Sequence, residues 1–120
     1  YWTDGLIVST PTGSTAYSLS VGGPILTPGS ENFVIAPIAS HNLSVRPIVI
    51  PDSKVIRLEV KSRSRGFLVT ADNRTKIMNG SSTTFYIRKA SFHVRMIQLP
   101  FNNFYSTIRN KLMWGADKRN

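Results

Sequence analysis

The sequence predicts an all-β fold, an antiparallel β-sandwich with two short helices. Three observations predict it: apolar runs of strand length recur beyond Pro28, turn-forming residues separate these runs, and only two segments have helical character. A chain of 120 residues has the size of one domain, so we expect residues 1–120 to form a single one.

The two predicted helices lie near the ends of the chain. Residues 5–8 form an apolar run that we expect to be a buried strand, followed by a helix over residues 15–21. The glycine pair and proline at residues 22–24 stop this helix. A second helix is predicted over residues 104–114, where apolar side chains recur at helical spacing and Gly115 ends the pattern.

The predicted strands beyond Pro28 are short and separated by turns. In the best of them, Ile56, Leu58 and Val60 alternate with charged residues, as expected for a half-buried strand. The turn at residues 64–66 should return the chain to pair with it. Pro47 suggests an edge strand or a bulge, and Asn79 with Gly80 suggests a tight turn. The expected strands are residues 33–38, 45–50, 56–61, 67–71, 76–78, 83–88 and 92–99.

Composition narrows the classes of function. The formal net charge of +9 favours contact with anions such as nucleic acid, anionic membranes or nucleotide phosphates. The basic residues between 54 and 65 are interspersed with apolar ones, which is typical of the solvated face of a strand. No cysteine is present, which excludes disulfides and thiolate metal sites. No apolar run approaches the roughly 20 residues of a membrane helix.

Residues 9–21 form the most informative segment. They are small and rich in hydroxyl groups, and they follow the predicted strand at residues 5–8 directly. At such a strand-to-helix turn, backbone N–H groups and side-chain oxygens converge on a polar ligand, although the same turn also occurs as a purely structural element. The spacing excludes a phosphate-binding loop of the Walker type and the nucleophile turn of the α/β-hydrolases.

The sequence of this segment and of the residues around it resembles the C-terminal half of the NAD kinases, which phosphorylate NAD to NADP. The resemblance rests on residues 4–17 (DGLIVSTPTGSTAY), on residues 22–26 (GGPIL) and on residues 41–50 (HNLSVRPIVI), and it ends at residues 112–114. The Gly-Gly-Asp-Gly-Thr and Asn-Glu or Asn-Asp motifs of this family lie upstream of such a block. We therefore expect this chain to be a domain of a longer enzyme whose catalytic aspartate lies outside it.

The resemblance implies an NAD site but no catalytic residue within this chain. Tyr17 would stack on a ring of the ligand, and Asp4 would accept hydrogen bonds near the nicotinamide, although a cap or turn role also explains Asp4. A plain β-turn likewise explains Asn73 and Arg74. The residues implied to bind NAD are Asp4, Thr15, Ala16, Tyr17, Ser18, Leu19, Ser20, Ala39, His41, Asn73 and Arg74.

The family also implies cofactors and partners. The phosphoryl donor would be ATP or polyphosphate, with a divalent metal such as Mg²⁺, and the pocket would be completed across the interface of a homodimer or homotetramer. We expect a cytoplasmic enzyme with no metal site of its own in this chain, no membrane partner and no nucleic-acid partner. His41 and His93 are far apart without a spaced carboxylate, which argues against zinc.

Two alternative functions differ in class. A diacylglycerol or sphingosine kinase domain is similar in fold, but the TGSTAY sequence of residues 12–17 argues against it. A basic β-domain that binds nucleic acid requires aromatic residues interleaved with Lys and Arg on one sheet face. Only residues 85–89 and 92–95 offer that pattern, and they offer it weakly.

Overall fold

A computed structural model describes residues 2–115 of the chain. The chain divides into two compact units, the first formed by Tyr1–Pro51 with Ala90–Asn120 and the second by Asp52–Lys89. All of its strands pair in antiparallel fashion, with few and short helices between them. The predicted fold class is therefore confirmed. Among residues 2–115, no helix has the length and apolar character required to cross a membrane.

The first unit is built around a three-stranded sheet. Its strands are β1 (Gly5–Ser9), β2 (Asn32–Ile38) and β3 (Ile48–Pro51), with β2 in the centre. Adjacent residues Phe33 and Val34 are both buried although their side chains leave opposite faces of β2. The centre of the sheet is therefore covered on both sides, and it forms the core of this unit.

The edge strand β3 is shorter than the sequence predicts. We expected a strand over residues 45–50, but pairing with β2 begins at Ile48, after Pro47. Proline has no backbone N–H to donate to a ladder, so the strand starts at the next residue, Ile48. The predicted position at a sheet edge is confirmed.

The predicted helix over residues 15–21 is two shorter elements. A 3-10 helix covers Thr12–Thr15, and an α-helix, α1, covers Tyr17–Ser20. Ala16 separates them because its backbone, with φ −100° and ψ −133°, is not helical. The second helix, α2, spans Phe104–Leu112 rather than residues 104–114. It begins at Asn103, whose side chain accepts a hydrogen bond from the Ser106 N–H, and it ends at Met113 in the left-handed conformation.

The second unit contains β4 (Ile56–Lys61), β5 (Gly66–Ala71), β6 (Arg74–Asn79) and β7 (Ser82–Ile87). The strand β4 alternates between half-buried and exposed residues as predicted. Its exposed Arg57 and Lys61 flank Glu59 at 3.8 and 3.1 Å, which agrees with a solvated face. The two strand pairs meet where the Phe67 and Phe85 rings contact edge to face, with centroids 6.1 Å apart.

The predicted pairing of β4 with β5 is wrong. The strand β4 pairs with β7 and β5 pairs with β6. The loop from Ser62 to Gly66 instead passes beside the loop at residues 79–81, where Gly80 donates its N–H to the Arg65 carbonyl. Asn79 and Gly80 therefore do not form a hairpin turn. The chain passes there from the β5–β6 ladder to the β4–β7 ladder.

Residues 92–99 form no strand, contrary to the prediction. The alternation of Phe92, Val94 and Met96 is typical of a strand, but a strand also requires a hydrogen-bonded neighbour, and residues 2–115 supply none. Ile97 is 98% exposed. The segment is thus an exposed apolar stretch leading to α2.

Candidate functional site

Buried serine hydroxyls hold together the turn after β1. Ser14 is fully buried, and its Oγ donates to the Pro11 carbonyl at 2.6 Å while accepting the Leu26 N–H at 2.9 Å. Ser9, at the end of β1, is also buried and donates to the Thr10 carbonyl at 2.9 Å. These hydroxyl groups are committed to the protein itself, so part of the hydroxyl-rich segment is structural.

Two glycines in this region allow the chain to approach itself closely. A Cβ at Gly13 would lie 2.7 Å from the Ser9 Oγ. A Cβ at Gly23 would lie 2.4 Å from the Ser18 Oγ and 2.6 Å from the Ser18 carbonyl oxygen. The Gly23 N–H donates to that same carbonyl at 2.8 Å. The segment after α1 therefore folds tightly against the helix only because residue 23 has no side chain.

The same segment presents a second, outward set of residues. Thr15, Ala16, Tyr17 and Ser20 are exposed, and the Tyr17 side chain is 61% exposed. Leu19 is half-buried. An exposed tyrosine at the start of α1 offers a ring face for stacking and a hydroxyl for hydrogen bonding. These four residues are placed where a ligand could reach them.

Ser18 differs from its neighbours in the predicted set. It is 1% exposed, and its Oγ has no hydrogen-bond partner among the described residues. Its close approach to Gly23 explains the burial. Any contact of Ser18 with a ligand remains a prediction.

Asp4 lies beside the segment that contains Ala39 and His41. The Asp4 N–H donates to the Ile38 carbonyl at 3.0 Å, and the His41 N–H donates to the Trp2 carbonyl at 3.2 Å. The Thr3 hydroxyl donates to the carbonyls of Gly5, at 2.8 Å, and Ile38. These bonds extend the contact between the two segments past the end of the β1–β2 ladder. Asp4 and the segment with Ala39 and His41, all predicted to bind the same ligand, are therefore neighbours.

A shallow cavity of about 240 Å³ opens next to this junction. Its lining includes Ala39, one of the residues implied to bind NAD, together with its neighbour Ser40 and with Val21, which directly follows α1. Ala39 adopts a left-handed backbone with φ 46°, a strained conformation for a residue with a side chain. The cavity is lined by Val21, Pro37, Ala39, Ser40, Asn42, Leu43, Val45, Arg46 and Pro47.

Asn73 and Arg74 belong to the second unit. Asp72 and Asn73 form the two-residue turn between β5 and β6, with φ values of 44° and 68°. Positive φ at both positions is the signature of a type I′ hairpin turn, for which Asp and Asn are favoured. This turn accounts for the residue types there without a ligand, and a role for Asn73 or Arg74 in binding remains a prediction.

Two features of the site were missed by sequence reasoning. The structural role of Ser14 could not be predicted, because a serine in a glycine-rich turn is compatible with a ligand contact and with a structural hydrogen bond alike. Arg46, which lines the cavity, was noted only as part of a family motif. A signal was available, since Arg46 is the only charged residue between Glu31 and Asp52.

Comparison with known proteins assigns this architecture to a family. The ATP-NAD kinase C-terminal domain matches residues 1–99. Over 120 residues the chain is 49% identical to an NAD kinase of Cytophaga hutchinsonii, and over 121 residues it is 54% identical to one of Flavobacterium psychrophilum. Both alignments cover 100% of this chain, but they cover only 41% and 40% of those proteins. The chain thus spans about two fifths of the length of these relatives.

A solved structure shares the fold. Yeast NADH kinase, crystallised in complex with NADH, superposes with a TM-score of 0.80 over 96% of this chain and 36% of that one. The two sequences are 24% identical over the match. A likeness at this identity supports the architecture described above.

Proposed function

The chain belongs to the NAD kinase family, whose C-terminal domain it matches, and from this premise we propose that it forms the NAD-binding part of an enzyme that phosphorylates NAD. The phosphoryl group would pass to the 2′-hydroxyl of the adenosine ribose, giving NADP. The observation that carries the proposal is the junction of Asp4 with residues 38–41 beside a cavity, because it joins family-matched segments 34 residues apart in sequence.

The exposed residues of the turn after β1 have chemistry suited to a dinucleotide. The Tyr17 ring can stack on a base or on the nicotinamide, and the hydroxyl groups of Thr15 and Ser20 can donate or accept hydrogen bonds at ribose or base edges. The Asp4 carboxylate accepts hydrogen bonds, as the nicotinamide carboxamide requires. In this proposal the residues of the chain bind and orient NAD, and the proton of the reacting hydroxyl is taken by an aspartate outside these 120 residues.

We further propose ATP or polyphosphate as the phosphoryl donor, with a divalent metal ion neutralising the developing charge. Within residues 2–115, no group of three or more His, Cys, Asp or Glu side chains could hold such an ion. The described residues therefore do not fit a metal site of their own, and we derive no step of the reaction through one.

Assembly and location complete the proposal. A homodimer or homotetramer would let Asp4 and the stretch from Ala39 to His41 reach the ligand of a neighbouring subunit, as the family resemblance implies. A cytoplasmic location is proposed from the same resemblance. The lipid-kinase and nucleic-acid alternatives are not favoured, because the relatives compared above are NAD kinases.

An activity assay tests the proposed function. The intact enzyme, incubated with NAD, ATP and Mg²⁺, should form NADP, whereas the 120-residue chain alone should form none. Failure of the intact enzyme to form NADP with ATP, and again with polyphosphate in its place, would remove the proposed reaction. NADP formation by the 120-residue chain alone would place the catalytic aspartate among its own six acidic residues.

A further inference from the structure

The cavity beside Ala39 carries a positive charge to which the proposed function has assigned no role. Arg46 is the one charged side chain among the described residues that line it. The remaining lining residues are apolar apart from Ser40 and Asn42. A cation on the wall of a cavity with no lining carboxylate favours an anionic ligand group.

The Arg46 guanidinium is held in place by the loop it belongs to. Its Nη1 atom donates to the carbonyls of Leu43 and of Val45, the latter at 3.0 Å. A guanidinium has five N–H donors, so these two bonds leave the three donors of Nε and Nη2 for another partner. Both carbonyls belong to lining residues, so these bonds hold the exposed Arg46 side chain against the wall of the cavity.

The other polar groups of the lining, Asn42 and Ser40, are also oriented by hydrogen bonds. The Asn42 Oδ1 accepts the Ser44 N–H at 3.0 Å and the Ser44 hydroxyl at 2.6 Å. The Asn42 amide nitrogen therefore points away from Ser44 with two N–H donors. The Ser40 hydroxyl is engaged with the backbone of Asn42 at 3.3 Å. The polar capacity that remains is made mainly of donors, which match an acceptor-rich group.

The size of the cavity limits what it can hold. Complete small-molecule sites enclose roughly 300–1,000 Å³, so a cavity of about 240 Å³ is suited to one group of a larger ligand. The strained Ala39 lines this cavity and directly follows Ile38, whose carbonyl accepts the Asp4 N–H. A ligand extending from this junction would place one of its groups beside Arg46.

We propose that this cavity binds a phosphate group of the dinucleotide and that Arg46 contacts its oxygens. The inference rests on the proposed function, because it takes NAD as the ligand whose phosphate enters. It adds to that function a residue that contacts the phosphates, whereas Asp4 and Tyr17 were assigned to the nicotinamide and the ring systems of NAD. Planar guanidinium groups bind phosphate through two parallel hydrogen bonds, a geometry that lysine cannot reproduce.

Calorimetric titration of the intact protein tests the proposal with three probes: NAD, inorganic pyrophosphate and adenosine. Arg46→Gln should weaken NAD and pyrophosphate about tenfold or more, the usual loss for a hydrogen bond to a charged group. It should leave adenosine, which has no phosphate, within about twofold. Arg46→Lys keeps the charge without the fork and should fall between Arg46→Gln and the unchanged protein.

Arg109→Gln is the matched control, because it removes the same charge from an exposed residue of α2 in the same unit. It should change none of the three affinities by more than about twofold. Equal losses for adenosine and NAD in Arg46→Gln would overturn the proposal, since Arg46 would then only shape the loop. Unchanged NAD affinity in Arg46→Gln would also overturn it while leaving the NAD function intact.

The two proposals can fail separately. If the unchanged protein binds pyrophosphate in an Arg46-dependent way but does not bind NAD, the phosphate cavity stands and the NAD function falls. If it binds neither probe, both fall. Circular dichroism of each variant confirms that a loss of affinity is not a loss of folding.

Discussion

The Ser14 hydroxyl bonds to the backbone N–H of Leu26 at 2.9 Å, twelve residues further along the chain. The same hydroxyl donates to the Pro11 carbonyl, so one buried side chain joins the turn after β1 to the segment that follows α1. The outward-facing Thr15, Ala16 and Tyr17 follow directly. Their position for binding therefore depends on a residue that no ligand can touch.

Ser14→Ala should lower the free energy of unfolding by about 1–3 kcal/mol, because it leaves the part-buried Leu26 N–H without its partner, whereas the Pro11 carbonyl still accepts the Ser14 N–H. Urea denaturation followed by circular dichroism measures this loss. Thr12→Ala is the control, since Thr12 is an exposed hydroxyl residue of the same 3-10 helix and should change stability by less than about 0.5 kcal/mol. Equal effects of the two changes would contradict the structural role of Ser14.

The exposed apolar stretch at residues 92–99 gives a second prediction. Ile97→Asp should change the free energy of unfolding of the 120-residue chain by less than about 0.5 kcal/mol, because the side chain is 98% exposed. Binding of a hydrophobic dye such as ANS should decrease, since the variant places a charge within the apolar surface. Ile108→Ala, which removes a buried side chain of α2, should instead cost about 2–5 kcal/mol. A large loss of stability in Ile97→Asp would show that the segment is packed.

Local pattern predicted the strands better than it predicted their partners. The alternation of Ile56, Leu58 and Val60 depends only on which face of β4 is buried, and the structure confirms it. Pairing depends on contacts between distant residues, so the proximity of β4 and β5 in sequence suggested a hairpin that does not exist. The apolar alternation at residues 92–99 failed for the same reason, because periodicity does not supply a neighbouring strand.

The site was only partly open to prediction. Family resemblance selected Asp4 and Ala39, and the structure brings the segments that contain them together through the ladder of β1 and β2. No local signal could separate buried Ser14 and Ser18 from exposed Thr15, because all three are small hydroxyl residues in one turn. The contribution of Arg46 depends on the fold of its loop, which the sequence pattern does not determine.

The proposed sharing of the site between subunits predicts complementation in the intact enzyme. Asp4→Ala and Tyr17→Ala subunits should each be impaired, and mixing followed by reassembly should restore part of the activity. In a mixed dimer one pocket carries both changes and the other carries neither. Activity measured against the fraction of mixed oligomers, quantified by native mass spectrometry, checks this. No recovery in mixtures that contain such oligomers would mean that Asp4 serves the pocket of its own subunit.

The affinity of the intact enzyme for NAD in Tyr17→Ala tests the central claim most directly. Loss of a stacked ring and a hydrogen bond costs about 1–3 kcal/mol, so the dissociation constant should rise by roughly 5- to 150-fold, and by less in Tyr17→Phe. Tyr86→Ala is the control, because Tyr86 is a tyrosine of similar exposure, 68% against 61%, on β7. The account predicts that Tyr17→Ala weakens NAD binding while Tyr86→Ala does not. Unchanged NAD affinity in a folded Tyr17→Ala enzyme would contradict it.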